Sequence, residues 1–396
     1  MVAEARKSYD VAIIGGGVVG CAVAYFLAAD PDFDGSIAVI ERDPSYEACS
    51  TTRSAGSIRQ QFSTPENIAM SLFGRAFLDG IGETLAVDGE APDIGFVERG
   101  YLFLASAATK AALEESHTIQ KAHGADNVLL APAEIAERFP WLSTEGLALG
   151  SLGLSGEGWF DPSSLLHAFR QKSRSLGADY LRDEVTGIEC AGGRVTALGL
   201  ASGARLACGA AVNAAGPRAG RVAALAGIAL PVTAKKRFVF VFDCRETLPD
   251  CPLVVDPAGV YFRPESGKFI GGVSPGPHED PDCFDLEVDY TWFDERVWPR
   301  LAARVPAFEA VKMSGAWAGH YDYNTVDQNA VLGPHPEVGN FYFANGFSGH
   351  GLQQSPAAGR ATAELIVHGA YGAIDLSRFG YARFAAGAPV LELAVV

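Results

Sequence analysis

Tyr9-Asp10-Val11-Ala12-Ile13-Ile14-Gly15-Gly16-Gly17-Val18-Val19-Gly20, continued by Cys21-Ala22-Val23-Ala24-Tyr25-Phe26-Leu27-Ala28-Ala29, is the stretch that decides the fold. Val11 to Ile14 is a continuous apolar run of the kind found in parallel strands covered on both faces. Cys21 to Ala29 holds only small, apolar and aromatic residues and reads as a buried helix. The uncharged run approaches the length of a membrane span. However, glycines break its centre and Asp10 directly precedes it, so a strand turning into a helix is the better reading. Ile37-Ala38-Val39-Ile40 supplies a second strand that closes on Glu41. Strand, helix and strand make one βαβ unit, whose crossover is right-handed.

Gly15, Gly17 and Gly20 form a G-x-G-x-x-G turn between the strand and the helix, and each has a separate task. Gly15 permits the tight turn, Gly17 lets backbone approach a pyrophosphate, and Gly20 lets helix and sheet pack closely. The helix start offers free N–H groups and a partial positive charge to phosphates. Glu41 can accept hydrogen bonds from ribose hydroxyls. The unit is therefore read as a dinucleotide site.

The remaining composition narrows the classes. A chain of 396 residues, 48% hydrophobic and 20% charged, is globular and has room for two domains or one large α/β body. With 31 Lys+Arg against 47 Asp+Glu, the net charge is −16, which repels nucleic-acid backbones and anionic lipid surfaces. Neither nucleic acid nor a membrane span is expected. The seven cysteines form no Cys-x-x-Cys pair and are odd in number, which points to a reducing, cytoplasmic setting. No metal site is expected.

Along the chain, a polar loop from Ser50 to Ser63 precedes a helix from Pro65 to about Gly82. An aromatic strand, Tyr101 to Leu104, precedes a helix over about 107–123, and Asp161-Pro162 opens another that runs to Leu176. Strands dominate from Val232 to Ser274. A last strand, Phe341 to Ala344, leads through a Gly/Ser/His turn into a helix from about Leu352 to His368. Repeats and flexible linkers are lacking, so any two domains must be interleaved.

Four blocks in fixed order carry a resemblance: Asp10 to Glu41, Ser50-Thr51-Thr52-Arg53-Ser54-Ala55-Gly56, Val212-Asn213-Ala214-Ala215-Gly216-Pro217, and Gly346-Phe347-Ser348-Gly349-His350-Gly351. From Tyr9 to His368 the chain resembles the D-amino-acid-oxidase-like flavoprotein superfamily of glycine oxidases, sarcosine oxidases and D-amino-acid dehydrogenases. Within it, the D-arginine dehydrogenases and the mitochondrial FAD-dependent oxidoreductase-domain proteins are the nearest in pattern. The latter share a stretch like Ile58-Arg59-Gln60-Gln61-Phe62.

The resemblance implies FAD in an α/β chain, α+β overall. A Rossmann-like FAD-binding domain (1–90, 150–228 and 313–385) would be interleaved with a mixed, mainly antiparallel substrate domain (91–149 and 229–312). It places the cofactor against Gly15, Gly17, Val18, Val19, Gly20, Glu41 and Arg42, and against Ser50, Thr51, Thr52, Arg53, Ser54, Ala55 and Gly56. Val185, Ala214, Ala215, Gly216 and Gly319 join them. Gly346, Phe347, Ser348, Gly349, His350, Gly351, Leu352 and Gln353 complete the set, with a helix N-terminus toward the flavin's pyrimidine edge. Sarcosine oxidase attaches its flavin through a cysteine in the C-terminal part of the chain. No cysteine follows Cys283 here, so non-covalent FAD is expected.

Members of this superfamily oxidise a C–N bond by hydride transfer to flavin N5, and the imine then hydrolyses. The substrate carboxylate needs a buried cation, for which arginine offers a two-pronged fork. Arg59 matches the carboxylate-binding arginine of monomeric sarcosine oxidase, and Tyr261 a substrate-bonding tyrosine of D-arginine dehydrogenase. Arg237 stands in the basic run Lys235-Lys236-Arg237, which by itself reads as a solvated face. Gln353 replaces a lysine and His320 an arginine of these relatives. His350 reads either as a loop histidine satisfying backbone groups or as a proton-transfer group. The candidate catalytic set is Arg59, Tyr261, His320 and His350; the candidate substrate set is Arg59, Arg237, Tyr261, His320 and Gln353.

Several oxidases of the superfamily hold a lysine over the flavin. Phe269 falls at that place here, and alternation turns Lys268 to the other side of the sheet, which favours a dehydrogenase. The expected substrate is a D-amino acid, an N-alkyl glycine or an imino acid, with the electron acceptor left open. Two other readings compete. One is a flavin-binding assembly factor with little turnover. The other, an NAD-dependent dehydrogenase, has no use for the two late blocks.

Overall fold

The computed structural model describes residues 6–276 and 278–394. The opening stretch forms strand β1 (Ser8–Ile14), helix α1 (Val18–Ala29) and strand β2 (Ile37–Glu41). β1 lies parallel to β2, with Val11 opposite Ile37 and Ile14 opposite Ile40. On its other side it lies parallel to Arg205–Asn213, with Ile14 opposite Asn213. Both β1 and β2 are covered by helices, which is why they read as unbroken apolar runs. α1 begins at Val18, earlier than its apolar run suggests, because extended Gly17 serves as the N-cap.

The first sheet runs 185–191, 194–200, 205–213, β1, β2 and 179–182, with 341–345 and 331–334 attached beside 205–213. Antiparallel strands at one edge and a parallel centre make it mixed. The second sheet runs 312–324, 232–243, 268–273, 260–265, 253–255, 101–105, 149–153 and 127–130. Only 253–255 and 101–105 pair in parallel there; the other neighbours are antiparallel. The fold is thus an α/β nucleotide sheet interleaved with a mainly antiparallel one. Both Leu149–Gly153 and Lys312–Asn324 pair within the second sheet, so that sheet extends past the segments 91–149 and 229–312.

Each sheet has its own core. Under the first, α1 packs on the helix Gly351–Val367, where a Cβ on Gly359 would come within 2.7 Å of Ala22. Small residues let the two helices approach closely. Against the second, Phe240, Phe242, Phe262, Phe269 and Phe308 stack into an aromatic core. The helix expected to run from Pro65 to Gly82 divides at Gly80 into α2 (Pro65–Asp79) and a short turn, Ile81–Thr84. Among the described residues, no helix is long and apolar enough to cross a membrane, and the seven cysteines are free.

Candidate active site

A cavity of about 360 Å³ opens at the C-terminal ends of β1 and β2, between the two sheets. Crevices of this kind are where open α/β sheets take their ligands. Gly15 (φ +104°) shapes one end, since a Cβ there would lie 2.4 Å from the Ala214 carbonyl oxygen. Gly20 does not line the cavity; its missing side chain lets α1 rest on the Gly15 carbonyl. Its N-cap, Gly17, has no side chain to cap α1 and no acid stands in the first turn, so the N-terminus keeps a positive dipole for an anion. Val18 N–H donates to Thr51 Oγ1 (3.1 Å), which locks the polar loop onto the turn.

Glu41 accepts Gly16 N–H and Asp43 N–H at 2.7 Å each, and burial raises its pKa above the ordinary carboxylate range. Each oxygen keeps a lone pair for a ribose hydroxyl. Ser50 Oγ is buried at the cavity wall without a hydrogen-bond partner among the described residues. An orphaned hydroxyl beside a helix N-terminus suits a phosphate. Thr52 is not at the wall: its hydroxyl is turned onto the Tyr46 and Cys49 carbonyls. Gly56 also lies behind the wall, packed on the Phe160 carbonyl.

The opposite end is built by the turn Gly346 to Gly351. Gly346 (φ +75°) and Ser348 (φ +52°) sit behind it, outside the cavity. Asp322 accepts Gly346 N–H at 2.8 Å and Phe347 N–H at 3.2 Å, and burial raises its carboxyl to about 6. A Cβ on Gly349 would strike the Tyr321 ring at 2.5 Å. Gly349, Gly351, Leu352 and Gln353 face the cavity at the start of the helix Gly351–Val367, again without a side-chain cap. Two helix N-termini therefore point into one cleft from its two ends.

Beside the second of these lies a buried guanidinium. Arg59 is 2% exposed, lines the cavity, and lies over the rings of Phe62 (4.3 Å) and Phe103 (5.1 Å). Its Nη2 meets His350 Nε2 at 3.0 Å and also donates to the Ala394 carbonyl. Arginine only donates, so His350 Nε2 accepts and its proton sits on Nδ1. Burial and the Arg59 charge push the His350 pKa down, which keeps the ring neutral. Gln353 Oε1 accepts Arg59 N–H at 2.8 Å and so fixes the backbone that carries the guanidinium.

Tyr261 lines the cavity with its ring over Gly272, which has no side chain to displace it. His320 also lines it, and its Nε2 reaches the Asp285 carbonyl at 3.0 Å. Arg237 is a wall residue already matched by the protein: its two Nη atoms meet the two oxygens of Asp280 at 2.8 Å each. Its fork is therefore occupied, and it is no solvated run. Of the sequence candidates, Arg42, Val185, Ala215, Gly216 and Gly319 also reach the wall.

Sequence reasoning missed Tyr101, Tyr321 and Asp322, which line the cavity, and Glu157 behind it. No local motif marks them; strand pairing in the second sheet brings in the first three, and Glu157 lies in the turn between Leu149–Gly153 and Gly158–Trp159. Buried Glu157 accepts Gln60 N–H (2.6 Å), Gln61 Nε2 (2.9 Å) and Tyr101 N–H (3.2 Å). These bonds favour the carboxylate, but burial outweighs them and raises its pKa to about 7.

Residues 10–365 match the family model described as FAD dependent oxidoreductase. The chain belongs to this family. It is 46% identical to FAD-dependent oxidoreductase domain-containing protein 1 of Xenopus laevis, over 98% of this chain and 85% of that protein. Glycine oxidase of Geobacillus kaustophilus (strain HTA426) is 30% identical over 95% of this chain and 97% of its own. Among solved structures, L-proline dehydrogenase from P. horikoshii superposes with a TM-score of 0.86 at 27% identity, covering 98% of this chain and 100% of that one. FAD is the cofactor of this oxidoreductase, and the α1 N-terminus, the orphaned Ser50 hydroxyl and the Gly17 approach suit its phosphates.

Two tests follow from this geometry. Gly17 has ordinary backbone angles, and a Cβ there would meet nothing closer than 3.5 Å. Gly17→Ala should fold as the wild type does, yet bind FAD at least about tenfold more weakly in a fluorescence titration, because the methyl stands where the pyrophosphate approaches. For Glu157, a raised carboxyl pKa means that the folded state holds a proton the unfolded state has released. Stability from this group therefore falls as pH rises from about 4.5 to about 7, by at most about 1.4 kcal/mol per pH unit. Urea unfolding of Glu157→Gln across that window should lack this component.

Proposed function

We propose that this oxidoreductase oxidises a C–N bond in a small amino or imino acid, held by its carboxylate on Arg59. The observation that carries the reading is the Arg59 guanidinium itself, buried at the wall of the cofactor cavity. Its side-chain neighbours are aromatic rings and a neutral histidine. A buried arginine with no carboxylate among its hydrogen-bond partners in the described residues calls for an anionic ligand. Tyr101, Tyr261 and Tyr321 provide the walls around it.

FAD, held non-covalently, supplies the hydride acceptor at N5. The protein's own contributions are to bind the carboxylate, to orient the C–H bond and to receive the amine uncharged. No side-chain base is required for this: the ammonium loses its proton on entry, a hydride leaves carbon, and the imine hydrolyses in water. Burial and the adjacent Arg59 charge keep His350 from becoming a cation beside the carboxylate.

Dehydrogenase chemistry is the favoured form. No lysine lines the cavity among the described residues, and Lys268 points to the surface, with Ser314 Oγ at 3.0 Å and Asp243 at 3.4 Å. Electrons then leave to an acceptor other than oxygen. The free cysteines support action in a reducing compartment.

Arg59→Met tests the anchor. Loss of a charge-assisted pair costs about 3–5 kcal/mol, so KM for the best acid substrate should rise about a hundredfold or more while FAD content stays at the wild-type level. An unchanged KM removes Arg59 from the substrate site. Slow reoxidation of the reduced protein in air supports the dehydrogenase; reoxidation within the turnover time identifies an oxidase.

A further inference from the structure

The last described residues run back to Arg59. The segment Val390–Ala394 follows the turn of helix Ala382–Ala385 and is fastened at two places. The first is the buried pair of Arg383 Nε with Asp327 Oδ2 (2.7 Å). Asp327 Oδ2 also accepts Val390 N–H at 3.0 Å, its backbone carbonyl accepts Glu392 N–H at 3.1 Å, and Asn329 Nδ2 donates to the Val390 carbonyl at 2.6 Å.

The second is Glu392, 0% exposed. Its carboxylate accepts from Ser63 N–H (2.8 Å), Ser63 Oγ (2.6 Å), Thr64 N–H (3.2 Å), Thr64 Oγ1 and Asn67 Nδ2 (2.8 Å). Glu392 thus caps α2, whose N-cap Thr64 lies just beyond Arg59 in sequence. Ser63 Oγ in turn accepts Leu393 N–H at 2.9 Å. This clamp delivers the Ala394 carbonyl to Arg59 Nη2.

The atom it takes matters. A guanidinium grips a carboxylate through one of two forks, Nη1 with Nη2 or Nε with Nη2, and both need Nη2. Nη2 has two hydrogens; one faces His350 Nε2 and the other the Ala394 carbonyl. Neither fork is free while the segment is docked. We propose that the C-terminal segment is an intramolecular competitor of the substrate carboxylate. The Ala394 carbonyl occupies an Nη2 hydrogen that a carboxylate fork needs, and the substrate binds by evicting residues 393–394.

Eviction is favourable because a carboxylate brings an opposite charge and a second oxygen to the guanidinium, where the Ala394 carbonyl offers one neutral acceptor. It is also inexpensive: Leu391 and Leu393 are 51% and 68% exposed, so little apolar contact is lost. Glu392 then sets how firmly the competitor is held. The inference rests on Arg59 as the carboxylate anchor.

Benzoate, a carboxylate that cannot turn over, provides the test with the FAD-loaded protein, its binding followed by the flavin spectrum. Glu392→Ala should bind benzoate about tenfold more tightly than wild type and faster, with FAD content unchanged. Ser63→Ala, which removes two links and leaves Glu392 in place, should shift affinity the same way by about threefold and serves if Glu392→Ala does not fold. Equal or weaker binding in the variants overturns the proposal, because it makes the segment a wall rather than a competitor. Arg59→Met separates the two claims. If wild type binds benzoate and Arg59→Met binds it as well, the anchor reading fails; if only the tail variants leave affinity unmoved, the competitor fails alone. Absence of binding in wild type and all variants overturns both.

Discussion

A guanidinium buried to 2% exposure has to be held, and much of this site is the means of holding it. Burial works against the charge of Arg59 and lowers its pKa. The protein answers with two aromatic faces, a neutral histidine and backbone carbonyls. It withholds a carboxylate from the guanidinium itself, although Glu157 and Glu392 lie close by. Glu157 is engaged by Gln60, Gln61 and Tyr101, and Glu392 by the start of α2. Both acids shape the ground around the arginine without neutralising it.

The placement depends on the two sheets meeting at the cofactor cleft, which residues of both line. Gln353, at the start of a helix packed under the first sheet, holds the Arg59 backbone. Tyr101 and Tyr261 come from strands of the second sheet. The same junction brings Asp322, near the end of the long strand Lys312–Asn324, onto the turn that begins at Gly346. A single turn is therefore held by the substrate-side sheet while its far side faces the cofactor space. The cofactor space and the proposed substrate anchor therefore share one support.

Much of the first sheet was legible from sequence, because β1, α1 and β2 obey local rules: apolar runs for buried strands and glycines where backbone must approach backbone. The polar loop and the two late blocks were legible through their resemblance to a flavoprotein superfamily, and the cavity indeed gathers most of them. The rest was hidden for physical reasons. Arg237 reads as one charge of a basic run until the fold delivers Asp280 to it. Glu157 carries no motif, since its role follows from burial. The Val390–Ala394 segment looks like a featureless end; its part in the site arises from contacts across more than three hundred residues of chain, as in Glu392 with Ser63.

The central claim is that the cavity oxidises an amine that is held by its carboxylate. Anaerobic mixing of the FAD-loaded protein with matched pairs, an amino or imino acid and the amine lacking its carboxylate, tests this most directly. Proline with pyrrolidine and sarcosine with dimethylamine are two such pairs. The account predicts that one or more of the acids bleach the flavin while their amines leave it yellow. Equal bleaching by both members of a pair, or none by any acid, would contradict it.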